Sequence, residues 1–222
     1  FSDIFKILGN KHFILISLLC VFFYACIISF RRFATTIIIP RFDLDADIAS
    51  LMVSLIPFST MVFTPLFGSM VDSKGKATRF MLLGSLLLLV SHLIIAFAPG
   101  TQFFGYTGVA ILGVAYALVP AAMWPSVPKI IPENQLGTAY ALIFLVQNVG
   151  LMLVPALIGW VLDKYCVTGQ RVLEGVTINT YNYTLPMIIF TTFGLLAIVF
   201  AVLLKAEDKK KGYGLELPNI KK

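Results

Sequence analysis

The sequence predicts an all-α membrane protein of six transmembrane helices. Three observations carry this. Of 222 residues, 59% are hydrophobic, only 13% are charged, and the mean hydropathy is +0.91. Soluble domains average about 25% charged residues, so this chain cannot hide its apolar surface from water. Six apolar runs, at about 13–39, 48–71, 80–97, 102–127, 136–162 and 185–204, each approach or exceed the roughly 20 helical residues that cross a ~30 Å hydrocarbon core. The connections between the first four runs are short and hold charges, prolines and glycines, so neighbouring spans run antiparallel.

In chain order, residues 1–12 read as a short amphipathic linker with Lys6 and Lys11. Phe1 in place of Met reads as the start of a fragment or a processed product, and the first apolar run is too long for a cleavable signal. The first span has 18 residues without a charge before Arg31 and Arg32, and Pro40 is expected to stop it. The second span contains Pro57 and Pro65, expected to kink it. Pro99 and Gly100 mark a tight turn after the third. The fourth is rich in small residues such as Gly105, Gly108 and Gly113, which let helices approach closely. The fifth carries Gly137, Gly150, Pro155 and Gly159. A polar loop is expected at 163–184, and a charged, disordered tail at 205–222.

Six spans place both ends on one face. That face holds 12 of the 17 Lys and Arg residues, against Arg31, Arg32, Arg41, Lys164 and Arg171 on the other. The positive-inside bias makes the face with both ends cytoplasmic. The net charge of +6 gathers in loops and at the end of the chain, a pattern of topology and lipid-headgroup contact and not of nucleic-acid binding. Cys20, Cys26 and Cys166 have neither disulfide nor metal spacing, and no cofactor motif is present. There is no H-E-x-x-H, no pair of intramembrane acids and no nucleophile–base set, so covalent catalysis is not expected.

The second and third spans are joined by Gly68, Asp72, Gly75, Lys76 and Arg79 in the pattern G-x-x-x-D-x-x-G-K-x-x-R. Gly68 is expected to let another backbone come close. An echo stands at the end of the fifth span. Pro65, Gly68 and Asp72 are matched by Pro155, Gly159 and Asp163, each set ending the middle helix of three, on opposite faces. That is the pattern of a 3+3 inverted repeat.

The motif at 68–79 resembles the cytoplasmic signature of the major facilitator superfamily, with Ser73 where the family usually has a basic residue and the charge moved to Lys74. A second stretch, Trp124 and Pro125, then Pro132 through Tyr140 (P-E-N-Q-L-G-T-A-Y), then Gln147, Asn148 and Gly150, is similar to the lysosomal dipeptide transporter branch and its bacterial relatives. The resemblance implies the C-terminal six-helix half of a twelve-helix transporter, with an N-terminal half of the same protein as its partner. It implies a small polar solute, a dipeptide or an organic anion, carried by alternating access. It implies that the first and fourth helices line the cavity, that the third and sixth face lipid, and that Asp72, Lys76 and Arg79 close the cytoplasmic side. The membrane is then a bacterial inner membrane, or a lysosomal one in a eukaryote. The alternative is a self-contained six-span scaffold or homodimer without transport.

Candidate cavity residues follow from position and chemistry. Arg31 and Arg32 lie at or just inside the outer interface, where they either attract a carboxylate or snorkel to the outer headgroups; adjacent helical residues point about 100° apart, so at most one faces the cavity. Tyr24, Tyr116 and Trp124 each offer a ring and a hydrogen bond, with an interface anchor as the other reading of Trp124. Gln147 and Asn148 are mid-membrane amides that must face protein or water, first as interhelical bonds and second as substrate contacts. His92 reads as a satisfied structural histidine. No Asp or Glu lies deep in a span, so proton coupling through these six helices is not expected. Asn182, Tyr183 and Thr184 form a glycosylation sequon.

Overall fold

The computed structural model describes residues 2–173 and 176–220. Phe1 of the linker, Glu174 and Gly175 of the polar loop, and Lys221 and Lys222 of the tail lie outside the described residues. A short helix α1 (Ser2–Leu8) leads into α2 (Lys11–Phe42), α3 (Ala46–Lys74), α4 (Ala77–Phe97) and α5 (Gln102–Met123). A helical turn, α6 (Val127–Ile130), precedes α7 (Leu136–Tyr165), and α8 (Thr184–Lys211) is the last helix. Six helices are long and apolar enough to cross a membrane.

Local chemistry sets the helix starts. Asn10 caps α2, its side chain accepting from the backbone N–H groups of His12 and Phe13 at 3.0 and 3.4 Å. Asp45 caps α3 by accepting from the Asp47 N–H at 2.9 Å. The first span does not stop at Pro40. It runs on to Phe42 and ends at Asp43 in the left-handed region. Proline removes one backbone donor, and tertiary bonds hold the last turn. The Arg41 guanidinium donates to the carbonyls of Ile95, Ala96 and Ala98 at 3.4, 3.2 and 2.6 Å, and Phe42 is fully buried. Helix α3 continues through both of its prolines.

The main packing pairs follow an exchange rule. Helix α3 packs on α5 and α7 packs on α2; α4 packs on α5 and α8 packs on α2; α4 and α8 pack on each other. Exchanging α2 with α5, α3 with α7 and α4 with α8 leaves this set unchanged. Each repeat has three spans, an odd number, so the second must be inverted. Glycines stand at both equivalent crossings. A Cβ on Gly113 of α5 would lie 2.8 Å from the Ser59 Oγ of α3, and one on Gly150 of α7 would lie 3.0 Å from the Val21 Cγ1 of α2.

Two segments differ from expectation. The polar loop contains an antiparallel hairpin, β1 (Val167–Leu173) with β2 (Val176–Tyr181), carrying a register shift between Val167 and Gly169. The charged tail is not disordered through residue 220: α8 extends to Lys211, and Leu215 is fully buried.

Candidate functional site

An aromatic cluster forms on α2, the end of α5 and the start of α7. The Trp124 indole N–H donates to the Tyr24 hydroxyl at 3.1 Å. The Trp124 ring stacks on Phe144 at 5.0 Å and tilts against Tyr140 at 6.0 Å. Tyr24 meets Tyr116 edge-on at 6.1 Å. The hydroxyl of Tyr140 donates back to the Trp124 carbonyl at 3.3 Å. Trp124 is therefore part of this cluster. Beside it is a cleft of about 200 Å³ lined by Tyr24, Thr60, Thr64, Tyr116 and Pro120.

Arg31 and Arg32 separate as the helical turn angle requires. Arg32 is exposed, while Arg31 is partly buried. The Arg31 Nε is buried with no hydrogen-bond partner among the described residues, and its charge acts on Tyr116. Arg31 follows Tyr24 by seven residues, about two helical turns, so the two share a face of α2. Gln147 is buried and accepts from the Cys20 thiol of α2 at 3.3 Å, an interhelical bond. Asn148 is exposed and donates to the Phe144 carbonyl of its own helix at 2.8 Å. His92 is fully buried between the Leu88 carbonyl, 2.8 Å away, and the Cys26 sulfur, 3.6 Å away.

The second group is the turn between α3 and α4. Gly75 has φ 69° and Lys76 φ 63°, so the chain reverses through two left-handed residues. Lys76 is exposed. Asp72 and Arg79 do not pair with each other. Asp72 accepts from the Asn219 side chain at 2.6 Å, and Arg79 pairs with Glu216 at 3.0 Å. The space beside Gly68 is open: among the described residues nothing beyond its own helical turn lies within 4 Å of its ideal Cβ position, so no other backbone approaches it here. Gly159, its counterpart in the echo, is equally open. Asp163, the counterpart of Asp72, accepts from the Tyr181 hydroxyl of the hairpin at 2.7 Å. Among the described residues no cluster of His, Cys, Asp or Glu has metal-binding geometry.

The chain matches the Major Facilitator Superfamily family model over residues 7–219. It belongs to that superfamily. Members are transporters, not enzymes, that move small solutes across membranes, and this facilitator chain is an integral membrane protein. It is 33% identical over 166 residues to the lysosomal dipeptide transporter MFSD1 of Gallus gallus, covering 73% of this chain and 37% of that protein. The same transporter of Danio rerio is 30% identical over 203 residues, covering 91% of this chain and 40% of that protein. The matches thus span about two fifths of these relatives' length. A mutant of the peptide transporter POT in complex with sulfate superposes with a TM-score of 0.75 at 16% identity, covering 95% of this chain and 40% of the other. Its complex with alafosfalin gives 0.71 at 17%, covering 93% and 40%. The fold is that of one six-helix half of a facilitator.

Several residues of this facilitator's candidate sites escaped the sequence reading. Thr60 and Thr64 are spaced by four, as are Tyr140 and Phe144, and each pair shares a helix face. That spacing was a usable signal. Glu216 and Asn219 gave none, because their contacts span more than 130 positions of sequence.

Proposed function

We propose that the chain is the C-terminal half of a transporter that carries dipeptides by alternating access, with both ends and the α3–α4 turn cytoplasmic and with the substrate held between α2, α3 and α5. The observation that carries this reading is the Arg31 Nε, buried and without a partner among the described residues, about two helical turns along α2 from Tyr24, which lines a cleft of hydroxyls and rings. A partly buried guanidinium whose Nε finds no acceptor among the described residues favours an anionic group from outside the chain, and a peptide carboxylate is such a group. Its ammonium end suits the faces of Tyr24, Tyr116 and Trp124. The relatives named as dipeptide transporters support the same substrate class.

An N-terminal half is the proposed partner. Helices α3 and α7 are the least covered, with 11% and 28% of their most apolar windows buried, against 72% for α2. Both carry exposed apolar side chains, Leu51, Leu55 and Phe58 on α3 and Leu145, Met152 and Leu153 on α7. Both also carry an open glycine, Gly68 or Gly159, as a close helix contact requires. The turn is proposed as the cytoplasmic gate, and the membrane as a lysosomal or a bacterial inner one.

Uptake in proteoliposomes of the full-length parent, against a panel of dipeptides, amino acids and organic anions with and without a pH gradient, tests the proposal. Saturable dipeptide uptake without a gradient is expected. A folded protein that moves none of these solutes would return the chain to the scaffold reading.

A further inference from the structure

Residues 212–220 close over the α3–α4 turn as a double cap. Helix α8 ends at Gly212, in the left-handed region at φ 70°, and the chain folds back across the bundle end. The first backbone N–H groups of a helix and its last carbonyls lack intrahelical partners. Helix α4 has no side-chain cap of its own. The Lys76 N–H instead donates to the Glu216 carbonyl at 3.0 Å, and the Ala77 N–H to the Leu215 carbonyl at 3.3 Å. At the end of α3, the N–H groups of Asn219 and Ile220 donate to the Asp72 carbonyl at 3.0 and 3.1 Å. One segment therefore satisfies both helix ends of the motif.

Side chains repeat the arrangement. The Glu216 carboxylate accepts from the buried Thr78 hydroxyl and pairs with Arg79, at the positive end of α4. Asn219 donates to the Asp72 carboxylate. Lys129 donates to the carbonyls of Gly214 and Leu217 at 3.1 and 2.7 Å. Gly75 is required at the contact: a Cβ there would lie 2.3 Å from the Glu216 oxygen and 2.7 Å from the backbone of Leu217 and Pro218. The glycine of the motif thus admits a backbone, and that backbone is the chain's own.

We infer that the gate is a composite of the turn and this segment, in which Glu216 and Asn219 are positioning residues that hold Arg79 and Asp72 within the chain and leave Lys74 and Lys76 as the charges the turn offers outward. The inference rests on the gate reading above. It makes the conformational step, and not substrate binding, depend on the segment, because none of these residues lines the cleft beside Arg31.

The test uses the full-length parent in proteoliposomes, with Leu215→Cys in a background free of other reactive cysteines as a reporter of docking. Slow labelling by a maleimide is expected while the segment is docked. Glu216→Gln and Asn219→Ala together should speed labelling and lower the maximal uptake rate about two- to fivefold, with KM unchanged, in line with exposed pairs of this kind. Glu216→Asp with Asn219→Gln, which keep the carboxylate and the amide, should retain slow labelling and most of the rate. Faster labelling with an unchanged maximal rate overturns the inference, since the segment then docks without serving the gate. Unchanged labelling in the double variant overturns it too, and so does a slower rate that comes with a raised KM or with a conservative pair no better than the double variant. Absence of uptake in the wild type sinks the transport reading itself and is read separately from these variants.

Discussion

Trp124 donates its indole N–H to the Tyr24 hydroxyl at 3.1 Å, joining the end of α5 to the middle of α2. These two helices exchange under the internal symmetry, so the bond ties together the two repeats where the cleft opens. Trp124→Phe keeps a ring against Phe144 and removes the donor. A neutral hydrogen bond contributes about 1 kcal/mol, so the half-saturation concentration for dipeptide uptake should rise about three- to tenfold. An unchanged value in a well-folded variant would place the pair outside the substrate path.

Packing and partner surfaces give opposite outcomes for two glycines. A Cβ on Gly84 of α4 would stand 2.5 Å from the Val119 Cγ2 of α5, at a crossing of fully buried residues. Gly84→Ala should destabilise by about 1–3 kcal/mol through overpacking, seen as a lower melting temperature in detergent. Gly68→Ala meets nothing in this chain. In the six-helix chain it should leave the melting temperature within the scatter of a surface substitution, about 0.5 kcal/mol. On the proposed pairing with an N-terminal half, it should slow uptake by the full-length protein, because that half would cover the open side of α3. Equal melting losses for both glycines in the six-helix chain would contradict this account.

Much of the fold was legible because the bilayer fixes helix length. An apolar run of 18 residues before Arg31 leaves little choice of structure. The repeat was legible from Gly68 and Asp72 against Gly159 and Asp163. The hairpin was not, because a short strand pair between two spans carries no length signal, although Val167, Thr168, Val176, Thr177 and Ile178 are the β-branched residues that strands favour. The docked segment was hidden for a different reason. It is held by backbone caps, a single buried leucine and polar bonds to residues far away in sequence, so its composition reads as disorder. Pro40 misled because its local cost is outweighed by Arg41, whose partners on and just beyond α4 are more than 50 positions away.

The hairpin, like the docked segment 212–220, is anchored by a side-chain hydrogen bond to a carboxylate. Tyr181 donates to Asp163 at 2.7 Å, and that bond to the carboxylate raises its pKa above the ordinary phenol value of 10.0. A group raised in the folded state contributes stability that is fully present below its unfolded value and is lost as pH climbs through the raised one. The anchor is therefore complete at neutral pH and fails only above pH 10.0. The difference in tyrosinate absorbance between wild type and Tyr181→Phe should titrate above that value. Asp163→Asn should bring the titration down toward it, and a titration that ignores Asp163 would exclude the bond.

Arg31 and Arg32 give the sharpest separation. Both are cations in the same turn of α2, but only Arg31 has a buried, unpartnered Nε and acts on Tyr116, while Arg32 is exposed. A hydrogen bond to a charged group contributes about 1.5–3 kcal/mol, so Arg31→Gln should raise KM for dipeptides roughly ten- to a hundredfold. Arg32→Gln should change it less than about twofold, as an exposed charge does. The cause can be isolated with dipeptides amidated at the C-terminus, which lack the carboxylate. The wild type should bind them as weakly as Arg31→Gln binds the free dipeptide, and Arg31→Gln should no longer distinguish the two forms. If that variant still prefers the free carboxylate, the acid is held by another residue and Arg31 serves only the outer interface.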